Sequence, residues 1–348
     1  MIENRDTKQS SFLGNYVYNA VVPKDHILRK IDEAIDFSFV DKLARDAYCP
    51  VNGRPGYSPI LMFKLVFLQF LYDLSDYEIE SELNDRLSFK MFAGLEVEEA
   101  PPDHSTISRF RDRLGVDRFK EIFNRIVAMA KEKGIVTDKL HIIDSTDVKA
   151  KVDLYRLKKE HKEKEPDTYI DNHSPDKDAR PGRKHKNKQF YGFKAHAIID
   201  AESEILLNVD ATPGNAGDGE QLTALSAPLD PPKVITADKA YDSKENHEHL
   251  SKNHIRNGII LRKNHTKRYI KEHIERVSNI AKKVRPVIEH KLSELKNRHG
   301  LGLARYLGLI KMRIQTYLSA ICVNIKRMIR LIFCNASPPK IRLRRASS

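Results

Sequence analysis

Two aspartates stand where apolar runs end. Asp144 lies in HIIDSTDV after Ile142 and Ile143, and Asp238 closes KVITAD. Short runs rich in β-branched residues read as strands, so each carboxylate would emerge at a strand end, beside a core. A charge there is tolerated only when hydrated, paired or bound to a metal. If the two strands are neighbours in one sheet, the carboxylates lie side by side. Like charges so placed are costly unless a cation neutralises them. A third acid, Glu289, lies in the helical RPVIEHKLSELKNRHG, where Arg285 and Lys296 share its face at four- and seven-residue spacing. Each acid also has an ordinary reading. Asp144 would be a solvated or hydrogen-bonded structural residue, and Glu289 one rung of a surface ion-pair ladder. Asp238 would be an N-cap before DSKENHEHL, although Asp242 suits that cap better.

The elements that must position these acids follow from periodicity. Leu61 to Leu74 is apolar almost all round and too long for a strand, which makes it a helix inside a bundle. Ser75-x-x-Glu78 is a capping-box pattern that opens EIESELNDRLSF. Pro101 and Pro102 break the chain before Asp103-His-Ser-Thr, an N-cap for a helix that ends at Gly115. Another amphipathic helix runs from Val116 to Lys133. Residues 1–135 are therefore expected to form an all-helical domain. From Lys139 the runs HIIDSTDV, QFYGFKAHAIID, EILLNVDATP, KVITAD and NGIILRK read as strands. Helices before and after KVITAD give a mixed α/β sheet with three consecutive strands followed by crossovers.

A helix from about Asn279 to His299 follows, then a long closing helix with one apolar stripe from Leu307 to Ile332. Arg156 to Asn187 is dense in charge and nearly free of large apolar residues, so a loop or mobile insertion is expected at about 156–188. The expected catalytic domain is 136–335, with a basic disordered tail at 336–348.

Composition narrows the class of partner. Sixty-one Lys and Arg against 48 Asp and Glu leave a formal charge of +13, which favours a polyanion such as nucleic acid. Three cysteines without CxxC spacing argue against a disulfide framework or a structural zinc site and point to a reducing compartment such as the cytosol. The most apolar stretches are interrupted by charge, so no membrane segment is expected.

The strings IIDST, FYGFKAH, TADKAYDS and R-x3-E-x6-K occur in this order, after RPGYSPILMFKLVFLQFLYDLSDYEIE and PPDHSTISRFRDRL. Together they resemble bacterial insertion-sequence transposases of the DDE class with an InsH-type N-terminal domain, over about residues 15 to 325. Asp144 and Asp238 are 94 residues apart, and Asp238 and Glu289 are 51 apart. The resemblance implies an α+β chain: an all-α N-terminal domain, a ribonuclease-H-like mixed α/β catalytic domain and a C-terminal helix. It also implies that Asp144, Asp238 and Glu289 are metal ligands. The family's glutamate motif usually begins with a tyrosine three residues before the arginine. Here that position is Lys282, which can contact a phosphate but cannot stack on a base.

Oxygen ligands without cysteine or a histidine cluster favour Mg²⁺ or Mn²⁺. Two ions roughly 3.5–4 Å apart would activate first water and then a DNA 3′-hydroxyl in an in-line displacement. Asp147 and Asp242 are flanking acids with supporting or structural roles. Expected DNA contacts are Lys194 at the rim of the site, Tyr241 stacked on an unpaired base or else buried, and Lys282, Arg285 and Lys296 on the glutamate helix. Arg109 and Arg111 would lie on a recognition helix at Ser105 to Leu114. Lys267, Arg268 and Lys271 belong to the stretch 261–283, with eight basic residues against two acids. His247 and His249 diverge at i and i+2 and are expected to be exposed helix residues. The partners are the element's terminal repeats and target DNA, with a homodimer or larger assembly on DNA. Two competing readings are a decayed transposase that binds DNA without cutting, and a nuclease that only hydrolyses. The intact acidic triad counts against the first, and the N-terminal domain against the second.

Overall fold

The computed structural model describes residues 12–48, 56–155, 157, 172–185, 188–263 and 271–334. They divide into two compact units at Arg125/Ile126, with the segment from Ile332 grouped with the first.

The first unit is helical: α1 (Phe12–Val21), α2 (Ile27–Ala34), α3 (Phe39–Ala44), α4 (Pro59–Leu71), α5 (Asp76–Asp85), α6 (Leu87–Ala93) and most of α7 (His104–Glu132). In α4 every residue from Leu61 to Phe70 is buried, as its continuous apolar sequence requires. Lys64 is tolerated there because its ammonium reaches Asp32 at 2.6 Å. The capping box forms. Ser75 N donates to Glu78 Oε2 at 2.7 Å and Glu78 N donates back to Ser75 Oγ at 3.2 Å. Gly115, at φ 71°, takes the left-handed conformation that breaks α7 where the sequence places a helix end. Arg111 is not on the surface where a recognition helix would present it. It is 4% exposed, and its guanidinium holds Asp76 at 2.7 and 2.6 Å and Gln69 at 3.1 Å, so it ties α7 to α4 and α5. Arg109, two residues earlier, is exposed.

The second unit is built on β1 (Leu140–Lys149), β2 (Arg180–His185), β3 (Lys188–Asp200), β4 (Leu206–Pro213), β5 (Val234–Ala237) and β6 (Arg256–Ile259). β1, β3 and β4 form an antiparallel meander; β5 then β6 add to β1 in parallel. Helices α8 (Gln221–Ser226) and α9 (Lys244–Lys252) make the crossovers, and α10 (Lys271–Arg298) and α11 (Leu309–Phe333) follow. This order is the ribonuclease-H-like arrangement. The parallel strands β5 and β6 are short, and all four residues of the inner one, β5, are buried.

Two expectations are corrected. Within the charged segment Arg180 to His185 is a strand, lying end to end with β4 along one edge of β3: Gly192 pairs with Arg180 and Phe193 with Pro213. The pairing is by backbone. The Phe190 ring lies over Gly182, where an added Cβ would come within about 2.4 Å of it, so apolar periodicity gave no sign of this strand. Of that segment, residues 156, 158–171 and 186–187 lie outside the described residues, as do the tail and Lys267 and Arg268. α11 is not a one-stripe helix either: every residue from Ile314 to Ile325 is buried. Its polar members have partners. Asn324 accepts from Leu206 N and donates to Leu206 O, both at 2.8 Å, and so satisfies the backbone of β4 as a neighbouring strand would. Among the described residues no helix is long and apolar enough to cross a membrane.

Candidate active site

The parallel register of β1 and β5 pairs Leu140 with Val234 and Ile142 with Thr236. Two residues further along, Asp144 and Asp238 stand level, and the alternation of a strand puts them on the same side as Ile142 and Thr236. Both line one cleft of about 330 Å³, counted out to its open mouth. Apolar residues of both strands and Ala281, Val284 and Ile288 of α10 form its walls, with Arg285 at hand.

Asp144 is half-buried, and its Oδ1 accepts the amide of Ser145 at 2.8 Å. Desolvation is the largest influence on this carboxyl, raising its pKa from 3.8 to about 6. The Ser145 amide and Arg285 oppose the rise, while the charges of Asp238 and Asp218 add to it. Asp238 Oδ1 accepts Ala240 N at 2.8 Å and caps the 3-10 turn Lys239–Tyr241. Its capping role is therefore real, but for this turn. The cap of α9 is Ser243, which accepts from Asn246 N at 3.3 Å. Asp242, expected as that cap, is instead buried, accepting from Arg262 N at 2.7 Å and meeting His247 Nε2 at 2.7 Å.

Glu289 is one turn beyond Arg285 on α10 and pairs with it at 2.6 Å; the side chains are 52% and 62% exposed. Arg285 lines the cleft and Glu289 does not. Among the described residues no three acidic, histidine or cysteine side chains are gathered as a metal site. The structure thus brings two of the three acids together and leaves the third outside the cleft lining, one turn along α10 and engaged with an arginine. The oxygen-only donor pair, crowded by like charge, has the chemistry that a hard divalent cation relieves.

The other expected contacts separate by their partners. Lys194 is turned inward: its ammonium donates to Ala216 O at 2.8 Å and lies 3.0 Å from Asp218 Oδ1. Lys296 pairs with Asp147 at 3.1 Å. Lys282 is exposed, and Lys271 opens α10, its side chain being outside the described residues. Tyr241 is 1% exposed, so it belongs to the core and offers no face to a base. His247 and His249 diverge as expected but are not exposed. The first lies between Asp242 and Asn257 at 2.7 and 2.6 Å, and the second reaches Ser226 at 2.9 Å. Sequence reasoning missed Asp218. Its one signal was position, an acid in the loop GNAGDGE directly after the strand EILLNVDATP.

Comparison with known proteins adds a family. Residues 16–113 match the family described as Transposase domain (DUF772), and residues 137–325 match the family described as Transposase DDE domain. One solved structure, described as a cryo-EM structure of a piggyBac transposase synaptic complex with hairpin DNA, is similar at a TM-score of 0.44 and 11% identity, over 91% of this chain and 76% of that one.

Proposed function

Because the chain belongs to the DDE transposase family, we propose that it cleaves DNA phosphodiesters and transfers the resulting ends at the boundaries of an insertion sequence, with Asp144, Asp238 and Glu289 holding Mg²⁺ or Mn²⁺. The observation that carries this reading is the level placement of Asp144 and Asp238 on neighbouring parallel strands, where burial first, and then the charge of Asp238, makes Asp144 resist ionisation. Paired carboxylates of this kind are costly, and perturbed acids in a cleft cluster at functional sites. A pair of bound divalent ions supplies an activated attacking oxygen and neutralises charge on the leaving one.

The chain's own groups do the rest. The sheet fixes two ligands on rigid strands, and α10 carries Arg285 to the cleft with Glu289 one turn beyond it. For Glu289 to act as a ligand its pair with Arg285 must open. Both side chains are more than half exposed, so opening costs only about 0–1 kcal/mol. The guanidinium so released can take a phosphate oxygen of the scissile strand with its planar donors. Lys282 and Arg109, both exposed, are the phosphate contacts favoured here, and the helical N-terminal unit is the module that grips the element's end. Cutting two ends in one event calls for a homodimer or larger assembly on DNA.

The test uses purified protein, Mg²⁺ or Mn²⁺, and a duplex carrying the element's end, with nicking and joining measured separately. Asp144→Asn, Asp238→Asn and Glu289→Gln should each bind the end and lose both reactions. Near-normal activity in any of the three removes that residue from the ligand set.

A further inference from the structure

Behind the carboxylate pair lies a polar cluster that the reaction scheme does not use. Lys194 and His196 alternate onto one face of β3, and both approach the same oxygen. Asp218 Oδ1 is 3.0 Å from the lysine Nζ and 4.0 Å from His196 Nδ1. His196 is fully buried, and its other nitrogen is held by Thr212 Oγ1 at 2.8 Å. In the β1–β3 register His196 faces Ser145, the residue after Asp144. Ser145 is also the side chain beside the Tyr241 hydroxyl, which feels the charges of Asp144, Asp218 and Asp238. Asp218, His196, Ser145 and Tyr241 therefore converge directly behind the acids.

Their loops are locked to each other. Asn246, itself buried, donates to Gly219 O and to Tyr241 O, both at 2.8 Å. Gly219 sits so close that an added Cβ would lie 3.0 Å from Ala240 O. Tyr241 ends the turn that Asp238 caps, so whatever anchors the tyrosine also sets the second metal ligand. Two buried atoms at this point, Tyr241 Oη and His196 Nδ1, have no hydrogen-bond partner among the described residues, and both adjoin Asp218 Oδ1, which meets the Lys194 ammonium. Orphaned buried groups are rare because each forfeits its hydration. Two beside one carboxylate oxygen call for a shared partner, and a single enclosed water with two to four polar neighbours meets that need. It would accept from the tyrosine and donate to the carboxylate and the imidazole.

We infer that Asp218 and Tyr241 are positioning residues, joined through one buried hydrogen-bonded network that holds Asp144 and Asp238 in place for the cation. This rests on the metal-dependent reading above.

Mn²⁺ binding to the full chain, followed by the electron paramagnetic resonance of the free ion, tests it without recourse to activity. Tyr241→Phe and Asp218→Asn should each weaken binding about tenfold, as groups behind metal ligands do, and the double variant should lose about tenfold rather than the product. Circular dichroism should match the parent. If Asp218→Asn does not fold, Ser145→Ala takes its place in the same cycle. Wild-type binding in both single variants, or losses that multiply, overturns the inference. Asp144→Asn separates the two ideas. If it loses Mn²⁺ while the other variants bind normally, only the network fails; if it too binds normally, the metal reading itself fails.

Discussion

Replacing Asp144 by asparagine should make the protein more stable while removing its response to metal. The side chain keeps its shape, and its oxygen can still accept the Ser145 amide that Asp144 holds at 2.8 Å. What disappears is a charge that folding disfavours, since the carboxyl pKa rises from 3.8 to about 6. Below the lower value the acid is neutral in both the folded and the unfolded chain and nothing is lost. Between the two values the unfolded chain ionises first, so stability falls as pH rises, and above about 6 the whole penalty is present. At about 1.36 kcal/mol for each pKa unit the penalty is roughly 3 kcal/mol at neutral pH. Urea unfolding in EDTA at several pH values measures it. Asp144→Asn should exceed the parent by about that amount at pH 7, with the gap closing toward about pH 4. Added Mn²⁺ should stabilise the parent and not the variant. A variant less stable than the parent at neutral pH, or a gap independent of pH, would refute the account of Asp144 as a carboxylate opposed first by burial and then by its acidic neighbours.

Glu289→Gln removes an exposed ion pair and should change stability by less than about 1 kcal/mol while cleavage and joining collapse in the end-cleavage assay. Glu294→Gln on the same helix should instead cost a few kcal/mol in denaturant unfolding, because Glu294 meets Lys291 at 3.0 Å and Lys326 at 3.2 Å; a silent result would discount that network. Arg111→Ala should destabilise the helical unit by roughly 3–5 kcal/mol, and Arg109→Ala by less than about 0.5, so calorimetry that reversed the order would overturn the buried role of Arg111. DNA affinity should fall steeply with salt, and Lys282→Ala should flatten the log–log slope by about 1 if that lysine touches a phosphate. An unchanged slope would place Lys282 away from the DNA.

Much of this molecule was legible because local pattern and global fold agree. The buried helix at α4, the capping box at Ser75, the break at Gly115 and the strand order from β3 to β6 all follow from periodicity and short-range backbone chemistry, which a chain carries wherever it goes. So does the placement of Asp144 and Asp238 at strand ends. Their level register, however, comes from the pairing of β1 with β5, a contact between residues 94 positions apart that no local pattern encodes. The same holds for each side chain that changed its role. Arg111 and Lys194 carry the residue types of a DNA surface, yet a guanidinium or an ammonium is equally suited to a buried partner, and only the tertiary fold brought Asp76 and Asp218 to them; for Tyr241 the fold selected the buried one of two readings. The strand at Arg180 carries no apolar alternation of its own, RPGRKH, and so gave no periodic signal. Sequence thus determined the elements and the acids they present. The fold decided which charges met a partner and which were left facing the cleft, because that depends on distances set by chain segments far apart.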